Sequence, residues 1–166
     1  MRKTAALNVY GVKYMAKQLA AADAFEWMTT PDDEESMMVI LRSVSIDGVP
    51  LDSAAVVNDK VRDPINVMRP RLVLKELLRI VGKFNFGFLD ERKQVKVPTY
   101  LKSDTEARLV EGESPIMGVL ISENRASLRE LEEYYSMEDA FRLYDIVFID
   151  KLNAAEANHA AYKKRK

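Results

Sequence analysis

The chain has 166 residues, enough for one ordinary domain or for a domain with a helical appendage. Hydrophobic residues make up 48% and charged residues 31%, the balance of a folded chain rather than a disordered one. A formal net charge of -1 argues against a general nucleic-acid binder, and the lack of cysteine excludes disulfides, thiolate metal sites and cysteine nucleophiles.

The first residues, Met1 to Leu7, are charged like the start of a signal peptide, but Asn8, Lys13, Lys17 and Gln18 interrupt any apolar run. No stretch approaches the roughly 18 apolar residues of a membrane span, so a cytoplasmic protein is expected. Leu7 and Val9, then Val12 and Tyr14, alternate around Tyr10-Gly11, which predicts a β-hairpin turning there. The alanine-rich run from Leu19 to Met28 reads as a helix. Thr30-Pro31-Asp32-Asp33-Glu34-Glu35 then reads as a helix start: a hydroxyl cap, a proline at the first position and carboxylates at the positive end of the dipole. Met37, Met38, Ile40, Leu41 and Val44 supply the buried stripe of that helix.

Asp47-Gly48 marks a turn, followed by an extended piece at Pro50. Ser53 to Met68 is polar and weakly periodic, and Pro64 and Pro70 break it. A strong helix is predicted from Arg71 to Val81, opened by Pro70 and stopped by Gly82. Phe84-Asn85-Phe86-Gly87-Phe88-Leu89 alternates large and small residues and is expected to be a loop anchored in the core by its phenylalanines, with a short strand or an exposed aromatic loop that docks on a partner as alternatives. The charged stretch from Asp90 to Thr99 continues it as a linker. Three hydroxyls stand three residues before a carboxylate, at Ser103/Glu106, Ser127/Glu130 and Ser136/Asp139, which is capping-box spacing. After Ser136, Met137, Ala140, Phe141, Tyr144, Val147, Phe148, Leu152 and Ala155 form one helical stripe. Ile146 and Ile149 widen it, and Lys163 to Lys166 form a basic tip.

The fold expected is therefore mainly α (α+β). A small N-terminal β-hairpin followed by a helical bundle occupies residues 1–83, an irregular arm or linker 84–102, and C-terminal helices 103–166.

The catalytic inventory is thin. His159 is the one histidine and sits in a polar tail, so neither a hydrolase triad nor a paired-histidine metal site can be assembled. The six glycines make no phosphate-cradling loop. The acidic pairs Asp32-Asp33, Glu34-Glu35 and Glu132-Glu133 fall at predicted helix ends or on charged faces. No enzyme, cofactor or metal is expected. The candidate protein-binding residues are Phe84, Phe86, Phe88, Met137, Phe141, Tyr144 and Phe148.

Over residues 1–82 the layout is a hairpin with Val12-Lys13-Tyr14, a helix ending Ala24-Phe25-Glu26-Trp27-Met28, and a helix ending Val39-Ile40-Leu41-Arg42-Ser43-Val44. The turn Ser45-Ile46-Asp47-Gly48-Val49-Pro50-Leu51 and the helix Leu74 to Gly82 follow. This resembles the small tail assembly chaperones of long-tailed bacteriophages, in which an Asp-Gly-x-Pro-Leu turn precedes a leucine-rich helix. Ser127-Leu128-Arg129-Glu130-Leu131, Tyr135 to Ala140 and Asn153-Ala154-Ala155-Glu156 are similar to helical tails of phage tail and baseplate-assembly proteins. Shorter members of the family lack an arm like Phe84 to Gly112.

The resemblance implies a non-catalytic protein of the host cytoplasm that coats the tape-measure protein and recruits tail tube subunits. A structural baseplate or tail component kept in the virion is the alternative, and a small regulator using the basic tail a third reading. Adaptable apolar surface suits the chaperone role, with Met15, Met28, Met37, Met38, Met68, Met117 and Met137 as contributors. The implied partners are tape-measure, tube or baseplate subunits, with self-association left open.

Overall fold

A computed structural model describes residues 1–29, 34–102 and 114–164. The predicted hairpin is present. Strand β1 (Thr4–Val9) pairs antiparallel with β2 (Val12–Lys17), and the two turn residues have φ of 48° at Tyr10 and 86° at Gly11. Two consecutive positive φ values match the right-handed twist of the strands, the geometry favoured in two-residue hairpins. Helices α1 (Ala21–Thr29) and α2 (Glu34–Leu41) follow. The cap expected at Thr30 to Asp33 lies outside the described residues.

The Asp47-Gly48 turn joins two further strands, β3 (Val44–Ile46) and β4 (Val49–Pro50), so the hairpin grows into a four-stranded antiparallel sheet ordered β1-β2-β3-β4. One face of it is apolar. The pairs Val9/Val12, Leu7/Tyr14 and Ala5/Ala16 share that face, and Val9, Tyr14 and Ala16 are fully buried.

Helix α3 (Ala54–Lys60), capped by Ser53, occupies the first part of the stretch that reads as merely polar. Helix α4 runs from Pro70 to Phe86, passing through Gly82 rather than stopping there. Val73, Leu77, Val81 and Asn85, four residues apart, form one buried row on it. A short α5 (Phe88–Glu91) follows, so the first part of the expected arm is helical; residues from Arg92 to Pro98 lack regular structure. Helices α6 (Pro115–Ser122), α7 (Leu128–Glu133) and α8 (Met137–Lys164) complete the chain. Ser127 and Glu130 make a reciprocal capping box, and Ser136 and Asp139 exchange the same pair of bonds. The third expected box, Ser103/Glu106, lies outside the described residues.

The buried side chains from Val9 to Val147 form one cluster that runs across the positions 83/84 and 102/103. Sheet and helices are joined at a buried connection, Gln18-Leu19-Ala20, each residue at most 3% exposed. A buried loop needs partners for its backbone groups. Here Leu19 N–H donates to Asn85 Oδ1 at 2.7 Å, Gln18 C=O accepts from Arg2 Nε at 2.6 Å, and Ala21 N–H donates to Tyr135 C=O at 2.8 Å. No described helix is long and apolar enough to cross a membrane.

The hairpin is also clipped to the start of α8. Lys3 Nζ lies 2.6 Å from Glu138, and this hydrogen bond is the main cause holding the Glu138 carboxyl below its ordinary 4.5. A carboxylate lowered in the fold stabilises it above the unfolded value, and that stabilisation is lost as pH falls through the lowered folded value. Stability is therefore expected to drop with acidification below about pH 4.5. Glu138→Gln should remove about 0.5–1 kcal/mol at neutral pH and flatten that acid limb, read by urea melts at several pH values.

Candidate functional site: an apolar groove between four helices

A largely apolar groove of about 770 Å³ lies between α1, α6, α7 and the start of α8. That volume is within the range of about 300–1,000 Å³ usual for ligand sites. Phe25 and Met117, at 9% and 4% exposure, form its floor; Ile116 and Phe141 are half-buried walls. Met28 and Leu128 stand at its rim, 52% and 44% exposed. Among the described residues, the charged side chains lining it are Glu26 and Glu132, both acidic.

Its shape follows from the elements that carry it. Leu19 and Ala21 tie the start of α1 to α4 and to the end of α7, fixing the distance between two groove walls. Behind the groove Phe141 packs between Phe25 and Phe88, ring centroids 5.8 and 5.7 Å away, in the tilted arrangements that aromatic rings prefer. The Arg92 guanidinium lies 4.5 Å from the Phe141 ring centre and pairs with Asp145, so the opening of the irregular segment is pinned to α8. Trp27 stacks on Phe86 at 4.7 Å.

The expected binding residues are thus divided. Phe141 lines the groove. Phe84, Phe86 and Phe88 are half-buried and pack against the core as supports, the placement of a core-anchored segment rather than of an exposed docking loop. Met137 is 2% exposed and belongs to the core, out of reach of any partner in the folded state. Tyr144 and Phe148 stack on each other at 5.9 Å further along α8, outside the groove. Of the methionines, Met28 and Met117 reach the groove, while Met15 is 52% exposed on the outer face of the sheet.

The groove residues that the sequence reading passed over are chiefly those of α6. Ser114-Pro115 before the apolar run Ile116 to Ile121 was the available signal, since proline is favoured in the first turn of a helix.

A second cleft, about 410 Å³, is lined by both signs of charge, including Arg2, Asp23, Glu35 and Arg42. Its Arg2 has a lowered pKa, chiefly from burial, with Asp23 opposing. His159 lies elsewhere, stacked on Tyr100 at 4.6 Å along the distal part of α8. Among the described residues no three of His, Asp and Glu gather closely enough to hold a metal ion. The groove offers burial for apolar side chains and an acidic rim. No protein-family model, curated protein or solved structure matches the chain.

Proposed function

We propose that this protein is a non-catalytic binding factor of phage tail morphogenesis, whose groove takes apolar side chains of the tape-measure protein. The observation that supports this reading is the groove itself: an open apolar trough with a methionine on its rim and another on its floor. Unbranched, polarizable methionine adapts to varied side chains, and helices commonly bind by laying an apolar face into such a trough. The layout of the hairpin, the acidic-start helix and the Asp47-Gly48-Val49-Pro50-Leu51 turn adds the resemblance to tail assembly chaperones.

Co-expression with a tape-measure protein tests the reading. The wild-type chain is expected to raise soluble tape measure and to co-purify with it. Met28→Arg should weaken the complex about tenfold while leaving the melting temperature near wild type. Arginine is tolerated at this exposed position because a cation suits the last turn of a helix. Unchanged solubility of the tape measure, with no complex recovered, sinks the proposal. Mass spectrometry of purified virions separates a chaperone, absent from mature particles, from a retained structural component.

A further inference from the structure

Net charge hides a segregation. Residues 54–102 carry eleven Lys and Arg against five Asp and Glu, a surplus of six positive charges in a chain whose total is -1. Within this basic stretch, the loop between α3 and α4 is built in an unusual way. Val61 is 2% exposed and Met68 packs against the core, so both ends are anchored. Between them Asp63, 7% exposed, accepts from Val67 N–H through Oδ2 and from Met68 N–H through Oδ1, both at 3.0 Å. Pro64 rests against Gly11 at the hairpin tip. These constraints hold Ile65 and Val67 outward at 78% and 76% exposure. Two β-branched apolar side chains fixed in water by a buried carboxylate form a rigid knob, flanked by exposed Arg62, Arg69 and Arg71.

The groove is its complement in both respects: apolar inside, with Glu132 and Glu26 at the edge. Knob and groove cannot meet within one chain. Pro64 lies at the tip of the hairpin, whereas the hairpin base is clipped to Glu138 at the start of α8, close in sequence to Phe141 of the groove. Six residues of strand, about 20 Å at about 3.3 Å each, separate the two ends. We infer that the Ile65–Val67 knob of one copy docks in the groove of a second copy, giving a head-to-tail contact. This rests on reading the groove as a binding site. Its consequence for that site is competition: a tape-measure segment and a second copy would share one trough, so partner binding would dissociate the assembly.

A knob of two side chains makes a small contact, so the association is of the weak, concentration-dependent class. A heterologous contact does not stop at two copies unless a ring closes. Sedimentation velocity over a concentration series tests this with the full chain. The wild-type protein is expected to grow beyond a dimer at low salt and to dissociate as salt screens the charged rims. The knob variant Ile65→Asp/Val67→Asp and the groove variant Met28→Arg should each weaken association at least about tenfold. All three substitutions are at exposed positions, and circular dichroism checks their folding. An equimolar mixture of the two variants retains one good knob and one good groove, so it should form a heterodimer and nothing larger.

A wild-type chain that stays monomeric throughout overturns the proposal, as does one that stops at a homodimer or a variant mixture that does not associate. A monomer that still binds tape measure through Met28 overturns self-docking alone. Head-to-tail growth without tape-measure binding overturns the functional reading alone.

Discussion

Asn85→Leu is expected to destabilise the fold by about 2–3 kcal/mol, lowering the melting temperature by about 5–10 °C. The side chain is 4% exposed and does two things: Oδ1 accepts from Leu19 N–H and Nδ2 donates to Val81 C=O at 2.9 Å. Leucine keeps the branching and the four side-chain heavy atoms of asparagine, although its methyl groups are bulkier, so no cavity is left. The cost arises because Leu19 N–H is left buried without an acceptor, and an orphaned buried donor forfeits its full desolvation energy. A second effect follows from position. Leu19 leads into α1, so releasing it loosens one wall of the groove and should also weaken the proposed partner binding. Thermal melts and a binding titration on the same variant check both effects, and an unaltered melting temperature contradicts the role given to this amide.

Phe141→Ala is the second large effect, about 2–3 kcal/mol. The ring is half-buried, so the loss lies below that of a full core phenylalanine, yet it supports Phe25, Phe88 and the Arg92 guanidinium together. Removing it leaves a void behind the groove and frees Arg92 to turn toward Asp145 alone. Urea unfolding should show a lower midpoint with an unchanged slope, the mark of lost stability without a changed unfolded state. Phe141→Leu should recover most of the stability but less of the binding, because leucine fills volume without the ring contacts.

Both positions show where the sequence is legible and where it is not. The Tyr10-Gly11 and Asp47-Gly48 turns can be read from Gly11, Gly48 and Asp47, residue types that accept positive φ, whereas Tyr10 at φ 48° carries no such signal. The stripe of α8 is legible over its length for the same kind of reason: its apolar steps of three and four repeat. The second hairpin is harder, since strands of three and two residues carry no period. At the end of α4, Gly82 looks like a stop, but nothing approaches the space its Cβ would occupy and the helix simply runs through it. The row Val73, Leu77, Val81 continues to Asn85, a polar residue that breaks the apolar pattern while being buried. Its burial is tertiary in origin, made possible by Leu19, 66 positions away in sequence. With the row hidden, the alternation of Phe84, Phe86 and Phe88 suggests an extended arm. The groove is less legible still, because its walls come from four helices and no single segment carries its pattern.

The clip between Lys3 and Glu138 joins positions 135 apart. During synthesis the sheet can close early, since its strands are sequence neighbours, but α1 waits for Phe141 until most of the chain has left the ribosome. Distant closures of this kind slow folding and leave apolar surface exposed in the interval. Nascent chains halted before α8 would therefore depend on holdase chaperones and be cut readily by proteases, and acquire resistance abruptly once that helix emerges.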